Sequence, residues 1–384
     1  MDTRIPGIFA LAMMAGMACG DDASTNCGNG VLDVGEACDD GDEDPANGCD
    51  PVCQLVPGEV WRHDWTETDS LFFPTALAVA EDGRVYLAGD RGESGIVVAL
   101  ADDGHERWRM PVNTSVTAMA TDADGALYLL GGSLSKLDAD GNMQWTVDGI
   151  GRGRRLLVEA GAVYDLAEEL GPEAAPVWVR RLDAKDGALR WDRSIGDPSG
   201  TPSATDMTMV GTSLVVLAHN SKDVVVAVDP ATGAAGPEQS VSELGYHHAI
   251  SALDGDMLLL RARGDGTGVP AAVQRVELGG TLRWTHEFPD PEIDVRSVAV
   301  GPEGSIVATG YAPFGEPRAV IMSMDPDGAL RWTIEHLPDE ASQQTVVTAP
   351  VFGPGFLVVA GLDFTYTMEN YTLDRMWVQR YGAE

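Results

Sequence analysis

The chain has 384 residues, of which 60 are acidic and 25 are basic, so its formal net charge is −35. A surface this acidic repels phosphate backbones and gives anionic lipid no basic patch, which argues against nucleic acid and lipid headgroups as partners. Hydrophobic residues make up 44% of the chain, enough to build a sizeable core, and the 45 glycines predict many turns.

Residues 1–18 have the pattern of an export signal. Arg4 precedes the apolar run Ile5–Ala18, which ends in small residues at the two positions that a signal peptidase reads. The run is too short for a stable membrane-spanning helix. Cys19 follows directly, and a small residue before Cys at this point resembles a bacterial lipoprotein lipobox. The resemblance implies a lipid anchor on Cys19, and ordinary secretion with a free thiol is the alternative.

Residues 19–26 read as an anchor linker, and residues 27–57 as a small acidic module with four cysteines. A segment this short cannot bury a stabilising core, so we expect two disulfides to take the place of one. Three pairings are possible, and the spacing does not choose among them. The four cysteines are Cys27, Cys38, Cys49 and Cys53.

The wording CGNGVLDVGEACDDG, followed by NGCDPVCQ, resembles the myxobacterial cysteine-rich repeat. That resemblance implies an extracellular module and carries no reaction. Its acidic loop offers the oxygen ligands that Ca²⁺ prefers, although Pro45 stands where an EF-hand requires Gly. A calcium site of another type and a solvated acidic spacer are the two interpretations of the loop. The candidate ligands are Asp39, Asp40, Asp42 and Asp44.

A tryptophan repeat runs through the rest of the chain, residues 58–384. Each Trp ends a Gly-x-x-x-Trp segment, as in GALRW, and the segments recur at intervals in the forties or at twice that interval. In the double interval Gly233 and Pro237 stand in place of the Gly and the Trp. Such a period is typical of propeller blades. The tryptophans are Trp61, Trp108, Trp145, Trp191, Trp284 and Trp332.

Each unit contains apolar runs joined by Asp-Gly or Glu-Gly turns, as in ALAVAEDGRVYLAG, which predicts four short antiparallel strands. First strands near residues 76, 118, 156, 207, 249, 297 and 346 predict an all-β fold, a seven-bladed propeller of four-stranded blades. The last unit lacks its Trp strand. We therefore expect the strand Val60–His63 to complete it and close the ring, and the tryptophans to fill the wedge between blades.

The (L/M)D-x-x-G-x-x-x-W wording is similar to pyrroloquinoline-quinone-type propeller repeats. Quinoprotein dehydrogenases share this repeat with non-catalytic lipoproteins, including the propeller subunit of the outer-membrane β-barrel assembly machinery. For a dehydrogenase the resemblance implies a vicinal cysteine pair and eight blades. The sequence has no Cys after Cys53 and seven units, so we predict that neither pyrroloquinoline quinone nor another cofactor is bound.

The candidate ligand-binding residues fall into three groups. The run GRGRR is the one basic cluster, and it either lines the central channel and receives an anion or pairs with nearby Asp. His247 and His248 are the only histidines adjacent in the sequence. Because adjacent strand residues point to opposite faces, we expect this pair to lie at the start of a strand and not to bind a metal ion. Aromatic residues near long connections, the longest at Leu362–Arg375, are either binding anchors or packing over the blades. The groups are Arg152, Arg154 and Arg155; Tyr246, His247 and His248; and Tyr311, Phe314, Phe364, Tyr366 and Tyr371.

The sequence contains none of the usual nucleophile, phosphate-loop or zinc motifs. We therefore interpret the chain as an exported lipoprotein of the cell envelope, at the outer membrane or the cell surface. Its propeller would bind or scaffold a protein or glycan partner without catalysis. The alternative is a propeller-type lyase or hydrolase with its site in the central funnel, which requires His247, His248, Arg154 and several carboxylates to converge there.

Overall fold

The fold is described from a computed structural model. It describes residues 58–66, 72–91, 94–168, 177–195, 203–219, 222–241, 245–263, 269–301, 304–312, 316–338, 342–366 and 371–382. The export signal, Cys19, the four module cysteines and the acidic loop lie outside these residues. Their lipidation, disulfides and calcium binding stay predictions. Within the described residues, no helix is long and apolar enough to cross a bilayer.

The described residues form seven antiparallel sheets around one axis. Blades 1 to 3 contain β2 (Phe73–Val79), β3 (Val85–Arg91), β4 (Ser94–Leu100) and β5 (Glu106–Val112); β6 (Ala118–Thr121), β7 (Leu127–Leu130), β8 (Ser133–Leu137) and β9 (Met143–Asp148); and β10 (Arg152–Glu159), β11 (Ala162–Glu168), β12 (Val177–Asp183) and β13 (Leu189–Ile195).

Blades 4 to 6 contain β14 (Ser203–Val210), β15 (Ser213–His219), β16 (Asp223–Val228) and β17 (Gln239–Ser240); β18 (His247–Leu253), β19 (Asp256–Arg261), β20 (Ala272–Glu277) and β21 (Leu282–Glu287); and β22 (Asp294–Val300), β23 (Ile306–Ala312), β24 (Arg318–Met324) and β25 (Leu330–His336). Blade 7 contains β26 (Gln344–Val347), β27 (Val351–Gly353), β28 (Phe356–Tyr366) and β29 (Tyr371–Gly382), together with β1 (Glu59–Thr66).

The strand order confirms the predicted seven-bladed propeller. In blades 1 to 6 four consecutive strands pair in chain order, and the first strand of each is the inner one. The connections therefore alternate between two faces. We call the face with the short first-to-second and third-to-fourth turns the turn face. The opposite face, with the second-to-third connections and the passages between blades, is the loop face.

Blade 7 is built from both ends of the described chain. Strand β1 pairs antiparallel with β29, with Trp61 opposite Arg380 and Asp64 opposite Trp377. The N–H of Gly382 also donates to the carbonyl of Gly58 at 3.0 Å. The predicted closure of the ring by the strand around Val60–His63 is thus confirmed. Pairing both ends in one sheet removes the open edges that an unclosed propeller would present.

The hydrophobic core is divided among the blade boundaries. The described residues form seven apolar clusters, and each joins the facing sides of two adjacent blades. At the closing boundary, for example, Trp65 and Met376 of blade 7 pack with Leu87 and Val98 of blade 1. The stability of each blade therefore depends on its neighbours, because a single blade cannot bury both of its faces.

A tryptophan contact recurs at these boundaries. The indole of the outer strand lies against the glycine of the next blade's third-to-fourth turn, and its Nε1–H donates to a carbonyl of that turn. Trp284, for example, donates to the carbonyl of Pro326 at 3.2 Å, and a Cβ on Gly328 would lie 2.8 Å from its ring. Gly328 also has a φ of +85°, which favours glycine. The Trp–glycine pairs are Trp61–Gly104, Trp108–Gly141, Trp145–Gly187, Trp191–Gly233 and Trp284–Gly328.

The boundary between blades 4 and 5 departs from this pattern. Strand β17 has only two residues, and Pro237 occupies the sequence position of the Trp. In space, however, the side chain of Gln239 takes the place of the indole, since a Cβ on Gly280 would overlap its amide nitrogen. The spacing of the tryptophans predicts the substituted blade correctly but not the residue that takes the place of the indole.

We expect Trp284→Ala to lower the free energy of unfolding by about 2 kcal/mol, since it removes a half-buried ring and one hydrogen bond. Leu282→Ala, two residues away on the exposed end of the same strand, should change it by less than about 0.5 kcal/mol. Urea unfolding of both variants is the measurement. Equal effects would contradict a specific role for the tryptophan contact.

Removing β1 should open the ring. A chain starting at residue 67 loses Trp65, which is 3% exposed, and leaves the edge of β29 unpaired. We expect its free energy of unfolding to be lower by at least about 3 kcal/mol, and we expect it to self-associate. A chain starting at residue 58 keeps the ring closed. Size-exclusion chromatography and urea unfolding compare the two. A monomeric, equally stable chain from residue 67 would overturn the closing role of β1.

Candidate functional site

The inner strands of all seven blades enclose a central channel with a cavity of about 420 Å³. One ring of structurally equivalent positions shows its character. In blades 1 to 6 each residue of the ring begins the regular pairing of its inner strand, and in blade 7 Pro350 directly precedes β27. Five of the seven positions hold small or neutral residues, and blades 3 and 4 instead hold an arginine and an aspartate. In blade order the ring is Ala76, Ala118, Arg155, Asp206, Ala249, Ser297 and Pro350.

Arg155 and Asp206 form an ion pair in the wall of this channel, with Nε of Arg155 3.0 Å from Oδ1 of Asp206. The carboxylate also accepts the backbone N–H groups of Met207 at 2.8 Å and Ile250 at 3.0 Å. Burial raises the pKa of Asp206, and Arg155 and the two N–H groups oppose that shift. Asp206 thereby joins blade 4 to the inner strand of blade 5.

The other arginines of the GRGRR run differ in position. Arg154 lines the channel, and its Nη2 lies 2.9 Å from Oε2 of Glu168. Glu168 also accepts the N–H of Ala204 in the next blade at 2.9 Å. Arg152 is exposed and does not line the cavity, so of the two interpretations of this cluster a place in the channel does not hold for Arg152. The bulge between Gly153 and Arg155 breaks the alternation of the strand, so Arg152 does not share the position of Arg154.

A bulge displaces one residue at the start of five inner strands. The pairing register shifts by one residue at equivalent points in blades 1, 3, 4, 5 and 6. Such bulges redirect side chains and are common beside functional sites. Here they place polar side chains together at the loop-face end of the channel. The extra residues are Thr75, Arg154, Thr205, His248 and Arg296.

His247 is part of the structure and is not available to a ligand. Its side chain is fully buried, with Nδ1 3.0 Å from Oδ2 of Asp223 and Nε2 3.0 Å from Oε1 of Gln274. The opposite oxygen of Asp223 lies 2.7 Å from Nδ1 of His219. Burial acts to raise the pKa of Asp223, but the hydrogen bonds from both imidazoles outweigh it and hold the pKa below its usual value. The prediction of His247 as a ligand-binding residue is wrong for this reason.

Tyr246 is the exposed aromatic residue of this region. Its side chain is 47% exposed, and its ring lies edge-to-face between His219, at 5.0 Å, and His248, at 5.2 Å. Burial lowers the pKa of His248, and the nearby Arg296 lowers it further. His248 is therefore neutral at pH 7. Sequence reasoning missed His219, because its role depends on Asp223 in the next strand and on Tyr246 from the next blade.

The predicted long loop Leu362–Arg375 is instead a hairpin, because β28 continues to Tyr366 and β29 begins at Tyr371. Phe364 pairs with Leu373, and its ring contacts Phe73 edge-on at 6.3 Å, so it packs over the blades and is not a free anchor. Tyr311 is half-buried beneath the guanidinium of Arg296. Phe314 and the side chains of Tyr366 and Tyr371 lie outside the described residues.

The groups required for the funnel enzyme only partly converge. Among the described residues that line the channel, Arg154, Arg155 and Asp206 are the charged ones, and no histidine joins them. His247 lies inside a blade, and His248 lies at the loop-face end. No group of three or more metal-ligating side chains occurs in the described part of the chain. The aspartates proposed for calcium, Asp39 to Asp44, are outside it.

Comparison with known proteins defines the chain as a propeller built from pyrroloquinoline-quinone-type repeats. It belongs to the family described as outer membrane protein assembly factor BamB, whose model matches residues 57–275. No curated protein matches the chain significantly.

Solved structures include BamB from Moraxella catarrhalis, at 14% identity and a TM-score of 0.49, with 80% of this chain and 85% of that chain covered. Virginiamycin B lyase from Staphylococcus aureus has 10% identity and a TM-score of 0.58, with 84% of this chain and 99% of the lyase covered. Its catalytically inactive variant with quinupristin has 11% identity, the same TM-score and the same coverage. At these identities the two lyase structures show a shared fold.

Asp223→Asn should destabilise the protein by about 2–3 kcal/mol at pH 7, because it removes a charge-assisted bond in a buried site. A lowered pKa in the folded state means that this stabilisation exists above the unfolded pKa near 3.8 and is lost as pH falls through the folded value. The gap between wild type and variant should therefore shrink below about pH 4. Urea unfolding from pH 3 to 7 measures it, with Asp327→Asn in an exposed turn as the control. A gap that does not change with pH would contradict this role.

Proposed function

We propose that this protein is a non-catalytic scaffold of the cell envelope and that its propeller binds a protein partner through the loop face. The family description, an outer membrane assembly factor, supports this proposal. The observation that carries it is Tyr246, which is held in the open between two imidazoles, while Arg154, Arg155 and Asp206 in the channel are engaged in ion pairs.

Tyr246 has the properties of a protein-binding anchor. A tyrosine offers a large apolar ring and a polar tip, and contacts with His219 and His248 reduce the entropy that it loses on binding. It lies in the passage from blade 4 to blade 5, on the loop face. A partner that covers Tyr246 would also reach the neighbouring channel mouth at Arg296 and His248.

The remaining parts of the proposal concern the N-terminal segments. Export by residues 1–18 and a lipid on Cys19 would hold the propeller at the outer membrane or the cell surface, and the cysteine-rich module would act as a spacer. A glycan partner and a calcium ion on the acidic loop stay predictions from the sequence.

A pull-down tests the proposed function. Full-length tagged protein is recovered from detergent-solubilised envelope, and mass spectrometry identifies its partners and measures the mass of the bait, which reports lipid on Cys19. We expect a stoichiometric protein partner whose recovery falls at least about tenfold with Tyr246→Ala, a loss that corresponds to a typical anchor residue.

Leu330→Ala is the matched control. Leu330 is 51% exposed and begins β25 at the turn face. The substitution therefore removes about as much apolar surface as Tyr246→Ala, but from the opposite face of the propeller. If Leu330→Ala retains the partner and Tyr246→Ala loses it, the result supports binding through the loop face. Equal retention by both variants would contradict it.

One observation favours an enzyme as the second candidate function. Asp206 is a buried carboxyl beside a cavity with a raised pKa, and such groups occur at catalytic sites. A lyase or hydrolase would use it in the funnel. Incubation with envelope glycans separates the two functions, because the scaffold gives no product, whereas turnover that Asp206→Asn abolishes would establish the enzyme.

A further inference from the structure

The channel wall departs from the repeat in blades 3 and 4, and the scaffold does not use the arginine in blade 3. At the ring of equivalent positions the fold accepts Ala76, Ala118 and Ala249, so a small side chain is sufficient there. Blade 3 instead places a guanidinium in the cavity. An arginine in a partly desolvated wall loses hydration free energy, and an anionic partner would compensate for that loss.

Arg155 has donors available for such a group. Its Nε lies 3.0 Å from Oδ1 of Asp206 as an ion pair without hydrogen-bond geometry, and no hydrogen bond from its terminal amino groups is found among the described residues. The side chain is 42% exposed, and it lies in the lining of the cavity. A guanidinium has five N–H donors, so it can keep one carboxylate at Nε and bind a second one through its terminal amino groups.

Asp206 does not need the whole of Arg155 in return. Both of its oxygens accept backbone N–H groups, from Met207 and Ile250, independently of the arginine. The aspartate therefore acts as a positioning residue that fixes the Nε end of Arg155. Arg154 lies beside it on the same strand and adds a second positive charge at the cavity, although its Nη2 is engaged by Glu168.

We propose that the central channel binds a carboxylate, held bidentately by the terminal amino groups of Arg155 with Arg154 beside it. A volume of 420 Å³ equals that of roughly fourteen waters at about 30 Å³ each, so a small organic acid or the last residues of a polypeptide would fit. The remaining wall, with Leu77, Met119 and Val298, suits an apolar group next to the carboxylate.

The loop face is the expected entrance. The turn face carries many of the acidic turn residues, including Asp82, Asp124 and Asp140, whereas at the loop-face end Arg296 is paired with Asp294 and His248 is neutral. An anion therefore meets less repulsion at the loop-face end. This site is separate from the surface centred on Tyr246, so it does not rest on the proposed function.

Isothermal titration calorimetry on the full-length protein tests the site with three probes: acetyl-trialanine with a free carboxylate, the same peptide as its amide, and succinate. We expect the free peptide or succinate to bind, and the amide to bind at least about tenfold more weakly because it lacks the charge. Binding by the peptide without succinate identifies a chain end, and the reverse identifies a small acid.

Arg155→Gln should weaken the bound probe at least about tenfold, whereas Arg152→Gln should change its affinity less than about twofold. The two variants alter the net charge equally, but Arg152 is exposed outside the cavity. Arg155→Lys should rescue binding poorly, since an ammonium lacks the planar fork. Ser297→Leu fills the cavity from blade 6 and should also abolish binding, which keeps the test decisive if Arg155→Gln unfolds.

Three results would overturn the proposal. They are equal affinity for the free peptide and its amide, equal effects of Arg155→Gln and Arg152→Gln, and no binding of any probe at millimolar concentration. If the channel does not bind a carboxylate, the proposed scaffold function still stands, because the pull-down measures binding through Tyr246 and not through the channel.

Discussion

The contact between the indole of one blade and the glycine turn of the next is the interaction on which the propeller depends. It sets the spacing between sheets, since the ring fills a space that a Cβ would close. A cation from the same blade reinforces it at most boundaries by donating to the turn that receives the indole. Those donors are Arg380 to Asp102, Arg84 to Ala139, Lys136 to Ala184, Arg181 to Ala231 and Arg275 to Pro326.

The boundary between blades 4 and 5 is held differently, and the polar chemistry collects there. Gln239 replaces the indole, and two buried carboxylates of blade 4 bind the inner strand of blade 5: Asp206 accepts the N–H of Ile250, and Asp223 that of His247. These polar contacts bring Arg155, Tyr246 and His219 to the same sector of the ring. A departure from the structural repeat thus coincides with both candidate binding regions.

Much of the fold could be predicted from the sequence, because it depends on local patterns. Trp61 lies one period before Trp108, which was enough to assign β1 to the last blade. The site depends on contacts between blades, which a repeat does not encode: nothing in the sequence connects His219 to Tyr246. Phe364 was assigned to a loop because polar residues surround it, although its alternation with Tyr366 is that of a strand.

The pairing of β1 with β29 also determines when the protein can become complete. Glu59 stands opposite Tyr381, so the first strand of the propeller finds its partner only after nearly the whole chain is available. Joining such distant segments costs loop entropy and slows folding. During synthesis the N-terminal strand emerges first and stays unpaired. In a chain of this design the edge of the closing strand therefore stays open until the last strand is available.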